Sequence, residues 1–471
     1  MYRRRRNLQK RHFVLMALIL IVWLVQLLPA AGACYARYIY PTIARVLTTV
    51  SDLIPFAVGD LFIALSIVWL VVRPFYARLR RKKPWRRIVG REVEYLLWIY
   101  VWFYLAWGLN YSQPNFYQRT GIAYTAYTPE NFARFTDDYI ERLNASYIPI
   151  DSIDTDMVRN EVVRGYRAIS PTLGVLPPTT DRPRAKTMLF TPLISMVGVT
   201  GSMGPFFCEF TLNGDLLPAD YPATYAHELA HRLGITSEAE ANFYAYQVCT
   251  RSSVPTLRFS GYYSILFHVL SNARRLMDEA AYQALVESIR PEIIQLAKDH
   301  QAYWSAKYSP LVGAVQDWIY DLYLKGNKID SGRQNYSEVV GLLISYEMYQ
   351  TYHDTIPTGH VMLDIFCYPV PVLHTSNNMV MITSLPSKPD IILTCKTRHS
   401  LFEPSYHHAQ SRSFRGYIFR RMYANNSMHV VGHHYETHHL CIRVMHSHFS
   451  QAINRKSPNQ RILHLPICNF T

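Results

Sequence analysis

The chain has 471 residues, of which 49% are hydrophobic and 14% aromatic, and its formal net charge is +14. This length suits two or three structural units, and the composition excludes both a disordered chain and one made only of membrane spans. The basic residues concentrate at 3–11 and 73–91, beside apolar runs. That placement is typical of membrane proteins, and no recognition motif accompanies it, so we expect a lipid bilayer and no nucleic acid as a partner.

Three apolar runs predict three transmembrane helices, at about 13–32, 53–72 and 93–109. Each is long enough to cross, or nearly cross, a hydrocarbon core of ~30 Å. For the first run a cleaved signal peptide is the alternative, because it has a basic start and small residues at its end. The acid in the second run, Asp60, lies near one end, which favours an interfacial or helix-start role. The third is rich in Trp and Tyr, which fits interfacial anchoring.

The two basic clusters predict the orientation of these spans. Basic residues stay on the cytoplasmic side, so both the N-terminus and the loop at 73–91 are expected inside. A third crossing then puts everything after about residue 110 outside. The sequence therefore predicts a multi-pass protein of the cell (inner) membrane with an extracytoplasmic main domain.

The main domain has mostly helical periodicity. Thr128 and Pro129 have the spacing of an N-cap followed by a proline in the first turn. A small sheet is expected within residues 185–209, where short apolar runs are separated by turns. Asn213-Gly214 is a hairpin-turn signal. Helices are predicted at 130–143, 157–170, 261–277 and 279–305.

One segment has the pattern of a metal-dependent hydrolase. His227 and His231 are four residues apart, so on a helix both can bind one ion, and Glu228 is offset enough to address a water on that ion. Pro222 suits the first helical turn and Gly234 the position past the end. The pattern predicts Zn²⁺ bound by His227 and His231 with Glu228 as general base; the alternative is a histidine pair on an ordinary helix.

A catalytic zinc usually has a third protein ligand, and two acids follow the motif. Ser237 and Glu240 have the spacing of a capping box, which gives Glu240 a structural role and leaves Glu238 better able to turn toward the metal. We therefore favour Glu238 as the third ligand, with Glu240 as the alternative. Tyr262 and Tyr263 are candidates for oxyanion support through nearness in sequence alone, and packing is the favoured role for both.

Residues 206–210 are a candidate edge strand that would hold an extended substrate by main-chain hydrogen bonds. An ordinary hairpin strand is an equally good interpretation. The seven cysteines have no CxxC pair and no regular spacing, so we expect them to pack as unpaired side chains.

The composition changes after about residue 356. Thirteen of the 19 histidines lie at 360–464, with scattered basic residues and poor periodicity. The cluster at 433–439 could chelate metal, although histidine-rich tracts are usually only compositional signals. The predicted tail, 357–471, is poorly structured and either disordered or foreign to the native chain.

The motif and its surroundings resemble known families. The His227–His231 pentapeptide followed by Glu238-Ala239-Glu240-Ala241-Asn242 resembles the pattern of gluzincins, in which the first acid of an E-x-x-A-(D/N) helix is the third ligand; that resemblance implies Glu238. Residues 1 to about 350 resemble an uncharacterised bacterial membrane family, domain of unknown function 3810. Residues 225–246 and 335–341 carry this likeness, which implies three spans followed by an HExxH domain.

The predicted fold class is mainly α: a membrane domain at 1–112 and a helix-rich, zincin-like α+β domain with a small sheet at 113–356. The predicted function is that of a membrane-anchored zinc metallopeptidase acting on peptides or proteins. Two alternatives stay open. One is a zinc-dependent amide hydrolase of the cell envelope, and the other is a non-enzymatic module that binds peptides.

Overall fold

The computed structural model describes residues 9–314, 327 and 338–354, together with strand residues at 361–367, 391–397, 422–424 and 427–429. The chain divides into two compact units, Met1–Gln350 and Thr351–Thr471. The first unit is mainly helical with one small sheet, as predicted.

The first unit begins with five helices that contain the predicted spans. The helix of the first predicted span ends at Leu27, before Pro29. The helix of the second predicted span begins only at Val58, because Pro55 is unfavourable inside a helix. Asp60 lies in the first turn of its helix, as predicted, where the helix dipole stabilises a negative charge. These helices are α1 (Lys10–Leu27), α2 (Pro29–Cys34), α3 (Tyr40–Ser51), α4 (Val58–Leu79) and α5 (Trp85–Ala106), with a π-helical segment at Tyr35–Ile39.

Among the described residues, two helices, and not three, are long and apolar enough to cross a membrane. They are α1 and α4, and most of their apolar side chains are exposed, which favours a lipid environment over a protein core. The third predicted span, 93–109, is not among the helices that meet these requirements of length and apolar composition. Its residues 93–106 belong to α5, whose first half carries three arginines and two glutamates, and 107–109 follow that helix.

The remaining helices of the first unit confirm the predicted helices at 130–143 and 157–170 and divide the other two. Thr128 Oγ1 accepts a hydrogen bond from Asn131 N, and Pro129 opens the helix, as expected. A continuous helix over 261–277 is wrong, because the chain breaks at Ile265; so is one over 279–305, because Pro291 starts a new helix. The helices are α6 (Phe116–Thr120), α7 (Pro129–Ser146), α8 (Thr155–Leu173), α9 (Thr191–Ser195), α10 (Tyr221–Arg232), α11 (Glu238–Thr250), α12 (Pro255–Ser264), α13 (Leu266–Leu276), α14 (Glu279–Ser288), α15 (Pro291–Lys307) and α16 (Val339–Asp354), with a 3₁₀ segment at Gly108–Ser112.

The small sheet precedes the motif helix, as predicted, but its strands differ in detail. Its order is β1-β3-β2, with β1 (Ala185–Thr187) parallel and β2 (Gly201–Gly204) antiparallel to β3 (Glu209–Leu212). The predicted edge strand at 206–210 is wrong, because residues 205–208 form the turn and β3 is central. Asn213-Gly214 follows β3 and does not close a hairpin.

The core of the first unit lies between the motif helix and its neighbours. Helices α7, α8, α10, α11 and α12 bury their apolar faces in one cluster, and Phe210 of β3 joins it. Cys208 and Cys249 are buried and unpaired, as expected, whereas Cys34 is exposed. Tyr262 and Tyr263 contact this cluster and take the favoured packing role.

The second unit contributes four described strands, β4 (Val361–Cys367), β5 (Ile391–Thr397), β6 (Met422–Ala424) and β7 (Ser427–His429). The β4–β5 pair is parallel and the β6–β7 pair antiparallel. The predictions for the rest of the tail, including the histidine cluster at 433–439, fall outside the described residues.

Candidate metal centre

The motif helix α10 positions the two histidines. Pro222 lies in its first turn and Gly234 lies just past its end with φ of +95°, a conformation that favours glycine. Four-residue spacing puts His227 and His231 on one face, and their Nε2 atoms are 3.0 Å apart. The local sequence is therefore sufficient to bring these two donors together.

The next helix, α11, adds a carboxylate to this pair. Ser237 caps the helix by accepting a hydrogen bond from Glu240 N, and Glu238 is its first residue. Glu238 Oε2 lies 3.1 Å from Nε2 of His227 and 3.3 Å from Nε2 of His231. These three side chains form a group that could hold a metal ion.

Glu240 is not part of this group, and its contacts differ from those of Glu238. Its carboxylate accepts a hydrogen bond of 3.1 Å from Phe116 N and forms an ion pair with Arg119. Arg119 also donates to Tyr244 Oη and to the Pro114 carbonyl. Glu240 thus ties α6 to α11, while Glu238 faces the histidines.

The outer nitrogen of each imidazole is held by an acceptor. Nδ1 of His227 lies 2.7 Å from Oδ1 of Asn242, and Nδ1 of His231 lies 2.7 Å from the carbonyl oxygen of Ile235. In a neutral imidazole the nitrogen that faces an acceptor carries the proton, so when both rings are neutral their Nε2 atoms present lone pairs. Three electron-rich atoms then converge on one point, and a cation there relieves their repulsion.

The spacing of the donors matches a small tetrahedral ion. Ligand atoms about 2.0–2.1 Å from a tetrahedral zinc are about 3.3 Å from one another. The three separations in this site are 3.0, 3.1 and 3.3 Å. Two imidazole nitrogens and one carboxylate oxygen are also a donor set found in catalytic zinc sites.

The electrostatics of the group also favour a positive charge. Burial opposes the charged form of His231, but Glu238, Glu228 and the Ile235 carbonyl together raise its pKa to about 9. Burial likewise opposes the charged form of Glu238, yet the two imidazoles hold the pKa of this carboxyl well below its ordinary value. The site therefore stabilises added positive charge, whether a proton or a metal ion carries it.

Glu228 lies beside the group and is almost fully buried, with 5% of its surface exposed. Burial raises the pKa of its carboxyl, although His227 and His231 partly oppose this. The start of β2 crosses close to it, since a Cβ on Gly201 would overlap the Glu228 carboxylate. A carboxylate with a raised pKa is suited to accept and return a proton near neutral pH.

Three residues of the site were not predicted from sequence. Asn242 stands out only as part of the E-x-x-A-(D/N) pattern, and its bond to His227 depends on how α10 packs on α11. Gly201 has only the signal of a turn residue. His268, on α13, lies close enough for the charge of His227 to lower its pKa; burial is the larger cause, and the pKa falls to about 4.

Side chains from the first five helices and the segment after them hold the end of the motif helix. Trp107 Nε1 donates to the His231 carbonyl at 2.9 Å, and Tyr40 Oη donates to the Arg232 carbonyl at 2.7 Å. Gln113 Nε2 donates to the Gly234 carbonyl at 2.6 Å. The last carbonyls of a helix lack intrahelical partners, so these bonds stabilise the turn that carries His231.

The fold and the site define a mainly helical protein with two candidate membrane spans and a His-His-Glu group that could hold a metal ion. The chain belongs to the family described as "Protein of unknown function (DUF3810)", whose model matches residues 35–344. No curated protein and no solved structure matches the chain. The matched range includes α3, α4 and α5 as well as the whole His-His-Glu group.

Proposed function

We propose that the chain is a membrane-anchored, gluzincin-type zinc peptidase. The observation that carries this proposal is the convergence of His227, His231 and Glu238, with their donor atoms 3.0–3.3 Å apart, next to the buried carboxylate of Glu228. Zinc fits better than calcium or magnesium, which prefer all-oxygen ligand sets.

His227, His231 and Glu238 would hold the zinc ion, which would act as a Lewis acid, polarising a carbonyl and lowering the pKa of water. Glu228 accepts the proton of the attacking water on its carboxylate. The C–O bond forms, the C–N bond breaks, and Glu228 returns the proton to the leaving amine. Asn242 and the Ile235 carbonyl keep the two imidazoles in the tautomer that binds metal.

The contacts of α4 support an extracytoplasmic location for this site. The Gly59 and Asp60 end of α4 binds the main domain through Glu209 and Leu189, while its other end leads to the basic loop. The domain and the basic loop thus lie at opposite ends of one candidate span. If the basic loop is cytoplasmic, the domain lies outside the cytoplasm.

The same geometry supports a third crossing by α5, despite its composition. Helices of 22 residues are about 33 Å long, and α5 returns from the basic loop to Trp107, beside the motif helix. Its acids pair with neighbouring helices, Glu92 with Arg73 and Glu94 with Arg11. Paired charges near one end of a span are compatible with crossing.

One substitution at three positions tests the enzymatic proposal. We expect the full-length protein in detergent to hold one zinc per chain and to hydrolyse labelled casein. Glu228→Gln should keep the zinc and lower the rate about 10²–10⁴-fold, as for loss of a general base. Glu238→Gln should lose zinc, and Glu240→Gln, the matched control on the same helix turn, should keep it.

A wild-type protein without stoichiometric zinc contradicts the proposal. Zinc retained in Glu238→Gln but lost in Glu240→Gln would instead identify Glu240 as the ligand. Hydrolysis of cell-wall stem peptides without hydrolysis of casein would assign the site to amide bonds of the cell envelope. Zinc binding without hydrolysis of either probe would favour the peptide-binding module.

A further inference from the structure

Strand β2 runs along the candidate site and is an edge strand of the sheet. Its first residue, Gly201, lies against the Glu228 carboxylate so closely that no side chain fits between them. Edge strands bind extended peptides through main-chain hydrogen bonds. A peptide paired with β2 at this point would therefore place one of its carbonyl groups near Glu228 and the metal ligands.

The other end of β2 leads to the candidate membrane helices. The turn at 205–208 packs its aromatic rings on them: Phe206 and Phe207 lie 5.0 and 5.7 Å from the ring of Phe62 in α4. The ring centroid of Phe206 also lies 6.3 Å from that of Phe103 in α5, and the Phe206 carbonyl accepts a hydrogen bond from Trp102 Nε1. The strand thus connects the site directly to the space beside α4 and α5.

A second apolar segment lies at the same end of α4. Leu189 N donates to Asp60, in the first turn of α4, and Leu189, Phe190 and Leu193 are 41–55% exposed. Leu53, in the connection that precedes α4, is 81% exposed. Exposed apolar side chains grouped around the end of a candidate span are typical of a surface that rests on lipid.

We propose that the substrate is an integral membrane protein, cut in an extended segment next to its own transmembrane span. This inference rests on the proposed peptidase function and on α4 crossing the membrane. Gly201 and Phe206 are five residues apart, so at ~3.3 Å per residue at most about 17 Å separates the cleft from the membrane-facing turn. A segment paired with β2 would be cut within about five residues of the point where it enters the bilayer.

A substrate with an internal reference tests this distance. The probe is a casein segment of about ten residues, present in two identical copies in tandem and fused to a polyleucine-alanine span of about 20 residues. It is reconstituted with the full-length, zinc-loaded protein in lipid vesicles. Because the two copies have the same sequence, a difference in cleavage between them reports only their distance from the membrane.

We expect the copy next to the span to be cut at least tenfold faster, at bonds within about five residues of the span, as mapped by mass spectrometry. Phe206→Ser with Phe207→Ser should reduce this preference severalfold with unchanged zinc content. Tyr124→Ser is the matched control, since this exposed aromatic packs on Tyr117, and it should keep the preference.

Equal cutting of the two copies would overturn the membrane-proximal inference and leave the peptidase proposal standing. Preferential cutting of the far copy would do the same. If neither the fused probe nor free labelled casein is cut, both proposals are overturned. Failure of the membrane-proximal inference alone is therefore distinguishable from failure of the peptidase proposal.

Discussion

Asn242 contacts His227, a candidate metal ligand, without belonging to the His-His-Glu group itself. Its amide oxygen lies 2.7 Å from Nδ1 of His227 and accepts a hydrogen bond from it when the imidazole is neutral, which leaves the Nε2 lone pair facing the candidate metal position. Loss of such an outer contact typically lowers metal affinity 10–100-fold. We expect Asn242→Ala to weaken zinc binding about that much, measured by competition with a chromophoric chelator.

The matched control is Asn131→Ala, which removes an amide that donates to the Ala126 carbonyl, far in sequence from the candidate metal ligands. It should leave zinc affinity unchanged. If Asn242→Ala binds zinc as tightly as the wild type, the backbone alone orients His227 and Asn242 has no positioning role.

Glu347, on α16, predicts a pH dependence of stability. Burial raises the pKa of its carboxyl to about 7, with Arg142 opposing and Asp138 adding to the rise. The folded state therefore binds the proton more tightly than the unfolded state. The stabilisation that comes from the protonated Glu347 carboxyl is complete below the ordinary glutamate pKa and is lost as the pH rises through about 7.

Glu347→Gln should remove this dependence. We expect the thermal midpoints of the variant and the wild type to be similar at low pH, and the variant to be the more stable above pH 7, by scanning calorimetry in detergent. Exposed Glu287→Gln serves as the control. An unchanged difference between variant and wild type across this range would contradict the raised pKa.

Local spacing was enough to predict the donors that lie close in sequence. His227 and His231 follow from one helical turn, and Glu238 follows from a cap that starts the next helix. Gly201 and His268 could not be predicted as site residues, because 27 and 37 residues separate them from Glu228 and His231. Their positions depend on how β2 and α13 pack on α10, which no local pattern encodes.

At the scale of elements, a buried ion pair joins the sheet to the N-terminal helices. Lys186 of β1 and Glu209 of β3 are 3% and 1% exposed, and their charged groups are 2.5 Å apart. Lys186 also donates to the Ser51 carbonyl at the end of α3, and Glu209 accepts from Gly59 N at the start of α4. The pair thus satisfies two helix ends at once.

Removing one partner of this pair should cost much more than removing both. Lys186→Met leaves a buried carboxylate without its cation, and we expect a loss of about 3–5 kcal/mol in the free energy of unfolding. In Lys186→Met with Glu209→Gln, the amide oxygen can still accept from Gly59 N, so most of that loss should be recovered.

Denaturant unfolding in detergent micelles, monitored by tryptophan fluorescence, measures these free energies. A double variant as unstable as Lys186→Met alone would mean that the ion pair contributes net stability beyond neutralising a buried charge. The exposed pair Arg274–Glu279 provides a control, since breaking it with Arg274→Met should change the free energy of unfolding by less than about 1 kcal/mol.

Element boundaries can be predicted best where a capping residue or a proline marks them. Thr128-Pro129 and Pro222 indicate helix starts that the structure confirms. Pro291 carries the same signal, but apolar periodicity continues across it and predicts one helix where the structure has two. The break at Ile265 is marked by neither a capping side chain nor a proline.

At the scale of the whole molecule, contacts from α3 and from the residues that follow α3 and α5 join the candidate membrane helices and the candidate metal site into one unit. Trp107 and Tyr40 bind the carbonyls of the motif helix, and Arg232 at its end pairs with Asp52 at 3.0 Å. The sequence could indicate each part by composition, but it could not indicate these long-range bonds. Because of these bonds, the orientation of the candidate membrane helices determines on which side of a membrane the candidate site lies.

The exposed Cys34 allows that sidedness to be measured on intact cells. It lies between α1 and α4, in the segment expected outside, whereas Cys208 and Cys249 are buried. With Cys367, Cys395, Cys441 and Cys468 replaced by serine, a membrane-impermeant maleimide should label the protein through Cys34. In the same background, Cys34→Ser with Arg81→Cys places the thiol in the basic loop, and labelling should then require permeabilised cells. The reverse pattern would put the main domain in the cytoplasm, because the N-terminal end of α4 binds Glu209 and Leu189 of that domain.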